Sequence, residues 1–255
     1  MNEKTWVIKL GGAVLNTDNA AKALFEVLLE QKNARFVIVH GGGSLVDTWL
    51  REAGFASTKH QGLRISPAEQ MPYIVGALAG CANKQLMSQA INAGHKPIGL
   101  SLFEAGVTAT QKLKALCLVG KCKSNDDSII NDLLKRERLP IVSSIGFDEQ
   151  GLWYNVNADE AAAAIAKNLN AELIFMTDVE AVLDENKQAL HQLDTKHINT
   201  LINKGVSVGG MEVKVKTSLH AAQYLRRGVY ISSWKKPENL TALLQGEHVG
   251  TKITP

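Results

Sequence analysis

Two lysines of this 255-residue chain stand beside paired glycines: Lys9 just before Gly11-Gly12, and Lys214 just after Gly209-Gly210. Between them lies the segment Phe36-Val37-Ile38-Val39-His40-Gly41-Gly42-Gly43-Ser44, an apolar run closed by three glycines. The Val/Ile-rich part reads as a buried strand, and Leu45–Leu50 after the glycines has helical spacing. A strand, a glycine turn and a helix start together aim bare backbone N–H groups at an anion. The glycines are expected to allow a close ligand and a turn through positive φ. Lys214, in the first turn of its helix, opposes the helix dipole, a small cost that a bound anion would reverse. Asp159 falls at another helix start, behind Asn157, with Glu160 completing capping-box spacing. Plainer readings stand beside each of these: an ordinary strand-to-helix turn, two lysines reaching solvent, and an aspartate that only stabilises its helix.

The elements that must carry these residues alternate between strand and helix from end to end. That alternation predicts an α/β fold with a largely parallel sheet covered on both faces. Strands are expected over 5–10, 36–39, 97–102, 139–144, 172–176, 229–232 and 249–253, and helices over 18–31, 126–137 and 195–203. Ser66-Pro67-Ala68-Glu69 has the form of a capped helix start, with Ser66 as cap, for a helix running to Gly94. Residues 57–66 form a polar, hairpin-like piece holding Lys59, His60 and Arg64. Residues 107–124 suggest a β excursion whose pairing the pattern leaves open. A boundary is expected near residue 170.

Composition narrows the function classes. Hydrophobic residues make up 45% and charged residues 21%, as in a soluble globular protein. The net charge of +3 comes without a Lys/Arg block, which argues against nucleic acid as a partner. No apolar run approaches the ~20 residues of a membrane span. The short start before the first strand leaves no room for a signal peptide, and three cysteines cannot all pair. A cytoplasmic setting with reduced thiols is therefore expected. The Gly-x-x-x-x-Gly-Lys-Ser/Thr, Gly-x-Gly-x-x-Gly, His-Glu-x-x-His and Gly-x-Ser-x-Gly patterns are all missing, so P-loop, Rossmann, zinc-protease and serine-hydrolase chemistry do not account for the glycines.

In order and spacing the motifs resemble the amino acid kinase superfamily, and within it the acetylglutamate kinases. The resemblance rests on Ile8-Lys9-Leu10-Gly11-Gly12, Val39-His40-Gly41-Gly42-Gly43, Gly62-Leu63-Arg64, Gly76-Ala77-Leu78-Ala79-Gly80 and Asn83-Lys84. It continues through Val142-Ser143-Ser144-Ile145-Gly146, Asn155-Val156-Asn157-Ala158-Asp159, Thr177-Asp178-Val179 and Gly209-Gly210-Met211 with Lys214.

The resemblance implies a three-layer αβα sandwich with an open, mainly parallel sheet. Residues 1–170 would form a lobe for the acetylated amino acid and for dimerisation, and residues 171–255 a lobe for ATP. The implied reaction moves the γ-phosphoryl group of ATP onto the side-chain carboxylate of N-acetyl-L-glutamate. Lys9 and Lys214 would oppose charge on the phosphoryl group, and Asp159 would hold both ammonium groups. Gly11, Gly42 and Gly43 would donate N–H bonds to the phosphoryl group and the substrate. Arg64 would grip the α-carboxylate, with Asn155 nearby. Asp178, Val179, Glu180, Ala181, Val182 and Leu183, with Val206, Ser207 and Val208, would line the nucleotide site. Mg²⁺ would arrive with ATP, bridging phosphate oxygens with few protein ligands. Ala181 stands where members of the family usually have glycine, and Ser207 where they usually have threonine. The short N-terminus implies a homodimer that arginine does not inhibit. Within the same fold, a kinase for another acylated amino acid such as aminoadipate, or a catalytically idle sensor, are the competing readings.

Overall fold

The computed structural model describes residues 3–17, 19–205 and 210–255. Strand β1 (Lys4–Leu10) points alternate side chains into two cores, Val7 into one and Ile8 into the other, and both are fully buried. It runs into a short helix α1 (Gly12–Leu15) and then α2 (Ala20–Glu30), whose Ala21, Leu24, Phe25 and Leu28 form the buried stripe. Strand β2 (Ala34–His40) repeats the alternation with Val37, Ile38 and Val39, and α3 (Gly43–Glu52) starts within the glycine run.

The polar piece is a hairpin, β3 (Lys59–His60) with β4 (Leu63–Arg64). Its tip, Gln61 and Gly62, takes φ of 50° and 81°, the positive pair that matches the right-handed twist of the strands. The single helix expected from Ser66 to Gly94 is instead segmented. A 3₁₀ turn (Ala68–Gln70) leads to α4 (Met71–Val75), a π-helical stretch (Gly76–Ala82) and α5 (Asn83–Asn92). Nor does Ser66 cap a helix. Its backbone is held by the strand-like segment beside it, donating to the Leu116 carbonyl and accepting from the Leu118 N–H. Its hydroxyl donates to the Arg64 carbonyl and accepts from Asn155. Bonds to distant segments have displaced the local cap.

Strand β5 (Pro97–Leu100) follows, and then the unplaced β excursion resolves into an antiparallel pair, β6 (Val107–Gln111) and β7 (Val119–Ser124). After α6 (Ser128–Lys135) and β8 (Leu139–Ser143), strands β9 (Ile145–Phe147) and β10 (Trp153–Val156) join that pair in a four-stranded sheet ordered β6-β7-β10-β9. Helix α7 (Ala158–Asn168) is capped by Asn157, whose side-chain oxygen accepts from the N–H groups of Asp159 and Glu160. The reciprocal half of the expected capping box is absent, because Glu160 pairs with Lys112. Residues 161–166 of α7, five alanines and an isoleucine, are all buried. Small side chains let this helix lie close to the sheet on one side and to its neighbouring helix on the other.

The last third holds β11 (Glu172–Thr177), the hairpin β12 (Val182–Leu183) with β13 (Ala189–Leu190), and β14 (Gln192–Leu193). Helices α8 (Thr195–Asn203) and α9 (Gly210–Leu225), strand β15 (Val229–Ser233), α10 (Glu238–Leu244) and β16 (Thr251–Ile253) complete the chain. The main sheet is ordered β14-β16-β15-β11-β1-β2-β8-β5 and is parallel except where β15 meets β16. Helices α2, α5 and α10 fill the core on one face, and α6 to α9 fill the other. This is the expected αβα sandwich. A third cluster packs α3 against α4, the π stretch and Ile145. Strands β1, β2, β8, β11 and β15 end at one edge of the sheet, where open α/β sheets bind their ligands.

Candidate active site

At that edge the glycine turn is built by close packing. None of Gly41, Gly42 and Gly43 has a φ in the left-handed region, contrary to expectation, and Gly42 is extended at φ 165°. What excludes a side chain is proximity. A Cβ on Gly42 would lie 2.9 Å from Leu78 Cδ2, and one on Gly41 would lie 3.3 Å from Ala158 Cβ. The N–H groups of Gly42 and Gly43 find no acceptor among the described residues, and both glycines line a cavity of about 250 Å³.

Lys9, on β1, faces the start of α7, and its Nζ lies 2.7 Å from Asp159 Oδ1. Both side chains are about one-fifth exposed, so water screens the pair only in part. Lys214 is the fifth residue of α9, just beyond the first turn in which it was expected, where the dipole acts more weakly. It pairs with Asp178, at the end of β11, rather than sharing Asp159. The Lys214 ammonium beside Asp178 holds that carboxyl below its usual range. Lys9, Lys214, Asp159 and Asp178 together line a cavity of about 200 Å³, with Gly11 and Gly12 on its wall.

The first-mentioned cavity holds the other expected residues, Arg64 and Asn155. Arg64 is 8% exposed and already engaged. It donates to Asp47 and Ser57, and its second terminal nitrogen donates to the Gly43 carbonyl at 3.0 Å. The Arg64 guanidinium depresses the Asp47 carboxyl to about 2. Arg64 thus presents a buried, fixed cation to the cavity rather than a free fork. Asn155 donates to Ser66 Oγ at 3.0 Å, which orients its amide beside the same space. The two cavities share Lys9, Gly12 and Asp159 as a common wall.

Of the run Asp178–Leu183, Asp178 alone lines the cavity holding both lysines. Val179 is tied to the Thr177 side chain, Glu180 to Lys236 at 2.9 Å, and the Val182 N–H donates to Thr251 Oγ1 at 2.8 Å. Ala181 is buried and lies outside the positive-φ region, so alanine sits there without strain. Val206, Ser207 and Val208 lie outside the described residues. The structure also adds residues that the spacing passed over. Asp47 and Ser57 fix Arg64, while Thr217, Ser218 and Trp234 close the cavity around Lys214. Thr217 sits three residues after Lys214 on one helix and was in principle readable. The Asp47–Arg64 contact joins a helix to a hairpin across 17 positions and leaves no local signal.

This site has close relatives. The sequence model of the amino acid kinase family matches residues 4–233. The acetylglutamate kinase of Moritella profunda is 46% identical over 252 residues, covering 97% of this chain and 96% of that one. The acetylglutamate kinase of Mannheimia succiniciproducens is 47% identical over 256 residues, covering 99% and 100%. Among solved structures, that of smu.665 from Streptococcus mutans superposes with a TM-score of 0.81 at 26% identity, over 100% of this chain and 99% of that one. A sandwich of this topology, with Lys9 and Lys214 lining one cavity at the sheet edge and full-length relatives, leads to one assignment: the chain belongs to the amino acid kinase family.

Proposed function

We propose that the chain transfers the γ-phosphoryl group of ATP to the side-chain carboxylate of N-acetyl-L-glutamate, giving an acyl phosphate. One observation carries the reading: two cavities abut at Lys9, Gly12 and Asp159, one containing both lysines and the other containing the glycine turn and Arg64. A donor phosphate in the first and an acceptor carboxylate in the second would meet at the Lys9 ammonium. Relatives that align end to end and bear the acetylglutamate kinase name support the same substrate.

The chemistry suits the residues. The nucleophile is a carboxylate, ionised at neutral pH, and needs no general base. Catalysis then consists of alignment and of cancelling charge on the phosphoryl oxygens. Lys9 and Lys214 supply the positive charge. Gly42 and Gly43 offer unused N–H groups, and Arg64 with Asn155 orients the α-carboxylate. Asp159 keeps Lys9 aimed between the cavities. Asp178 holds Lys214 until a phosphate competes for it. Both carboxylates facing the nucleotide cavity are paired with lysines. Mg²⁺ would therefore arrive with ATP rather than on Asp159 and Asp178, and would supply further neutralisation of phosphate charge. In this reading residues 1–170 bind the acyl amino acid and residues 171–255 the nucleotide, and the enzyme works as a cytoplasmic homodimer.

The deciding assay is ADP release with and without N-acetyl-L-glutamate, with hydroxylamine trapping the acyl phosphate. ADP release that depends on the acceptor and yields a hydroxamate supports the proposal. Release indifferent to the acceptor, or no hydroxamate, refutes it. Faster turnover of N-acetylaminoadipate would reassign the substrate. Sedimentation as a species other than a dimer would refute the assembly.

A further inference from the structure

His40 closes β2 directly before the glycine turn, and its side chain is completely buried. Its two ring nitrogens have different partners. Nδ1 lies 2.8 Å from the Gly41 carbonyl oxygen, and Nε2 lies 3.1 Å from Asn83 Nδ2. Asn83 is 1% exposed and donates from the same nitrogen to the Ile141 carbonyl at 2.9 Å, which fixes the orientation of its amide. A carbonyl can only accept and an amide NH₂ can only donate. The imidazole is therefore neutral, with its proton on Nδ1 and its lone pair on Nε2. Burial lowers its pKa to about 4, which keeps it neutral at physiological pH.

Asn83 is the first residue of α5, directly after the π-helical stretch. That stretch also brings Leu78 and Ala82 against Gly42. Widened helical turns of this kind recur at functional sites. Here the widening delivers an amide to the histidine and two side chains to the glycine on the adjoining strand end.

We propose that Asn83 is a positioning residue for phosphoryl transfer, acting through His40: it locks the imidazole in the tautomer that holds the Gly41 carbonyl, and so directs the free N–H groups of Gly42 and Gly43 into the cavity. The inference rests on the kinase reading above for the use made of those N–H groups. The groups facing His40 are few. Lys84 on α5 is the titratable one, and it donates to Asn83 Oδ1 at 3.2 Å. From β1 the register neighbour is Leu10, and from β8 it is Ser143.

The substitution Asn83→Asp tests the tautomer. It places an acceptor where a donor stood and raises the imidazole pKa into or above its ordinary range. While the ring is protonated, Nδ1–H still reaches Gly41 and Nε2–H reaches the new carboxylate. Once the ring deprotonates, its remaining proton moves to Nε2, and an Nδ1 lone pair faces the Gly41 carbonyl. The kcat of Asn83→Asp should therefore fall as pH rises through the shifted pKa. The expected fall is on the order of 10- to 100-fold, the scale of a reactant misplaced by about 1 Å. The unmodified chain should show no such step, and KM for ATP should change little. Nitrogen-15 spectra of the unmodified protein should show His40 protonated at Nδ1 only, and Asn83→Leu should lose that signature along with turnover. A pH–rate profile of Asn83→Asp parallel to that of the unmodified chain refutes the positioning role. So does an Nε2–H signal in the unmodified protein, whatever its activity. Failure of the unmodified chain to form an acyl phosphate refutes the kinase reading instead, so the two failures are distinguishable.

Discussion

At the scale of residues, the site consists of two lysines with separate carboxylates. Lys9 leans on Asp159 and Lys214 on Asp178, so each ammonium is held from its own side of the cavity. Replacing either lysine with alanine should lower kcat by roughly 10²- to 10³-fold, the scale for removing one preorganised donor to transition-state charge. Steady-state ADP release measures this directly, and unchanged rates would remove that lysine from the reaction. Separate pairing predicts a pattern of coupling as well. Asp159→Asn should be strongly non-additive with Lys9→Ala and nearly additive with Lys214→Ala, because only the first two residues touch. Strong coupling of both lysines to Asp159 would show that the pairs rearrange during turnover.

At the scale of elements, two backbone features carry predictions. Gly42→Ala would drive a methyl to 2.9 Å from Leu78 Cδ2, so activity and melting temperature should both fall. The double variant with Leu78→Ala should recover part of the activity, measured by kcat and thermal melts, although the second change itself opens a core cavity. Cys117 has φ 58° and ψ −121°, a region costly for any residue with a Cβ. Cys117→Gly should raise stability by about 1 kcal/mol, the balance of relieved strain, roughly 1–3 kcal/mol, against the looser unfolded chain. A melting temperature that falls would place the strain elsewhere. Such elements differ in how much of their form the local sequence carries. The strand–glycine–helix run around Gly41–Gly43, the β3–β4 hairpin and the Asn157 cap rest on spacings of a few residues, and local patterns report them well. The Ser66 cap and the unbroken helix to Gly94 failed because distant bonds decided those places: the bridge to Leu116 and Leu118, and the contact of Leu78 and Ala82 with Gly42. Lys9 and Lys214 were found as separate glycine-flanked cations. Their distinct carboxylate partners follow from tertiary packing: α7 lies over β1 and brings Asp159 to Lys9, while β11 beside β1 brings Asp178 to the same cavity.

At the scale of the whole molecule, the complete burial of the His40 imidazole ties stability to pH. The folded pKa of His40 is about 4, below the ordinary 6.5, so the unfolded chain takes up its proton first as pH falls. This contribution is complete above about pH 6.5 and is lost progressively toward pH 4, by roughly 3 kcal/mol in all. Asp47 and Asp178, whose carboxyls are depressed by Arg64 and Lys214, lose their contributions only below the ordinary carboxylate value, so the upper window reports buried imidazoles: His40, and His95, whose pKa burial also lowers. Denaturant unfolding at pH 7 and pH 4.5 should show this decline, and His40→Gln should reduce it, leaving the share that His95 carries. An equal slope in the variant would assign the decline to other groups.

The wall shared by the two cavities at Lys9, Gly12 and Asp159 has a stereochemical consequence. If donor and acceptor oxygens face one another across it, the phosphorus crosses once, without resting on the protein. A γ-phosphorus made chiral with oxygen isotopes should then emerge in the acyl phosphate with its handedness inverted. Retention would require two displacements and a phosphorylated side chain between them.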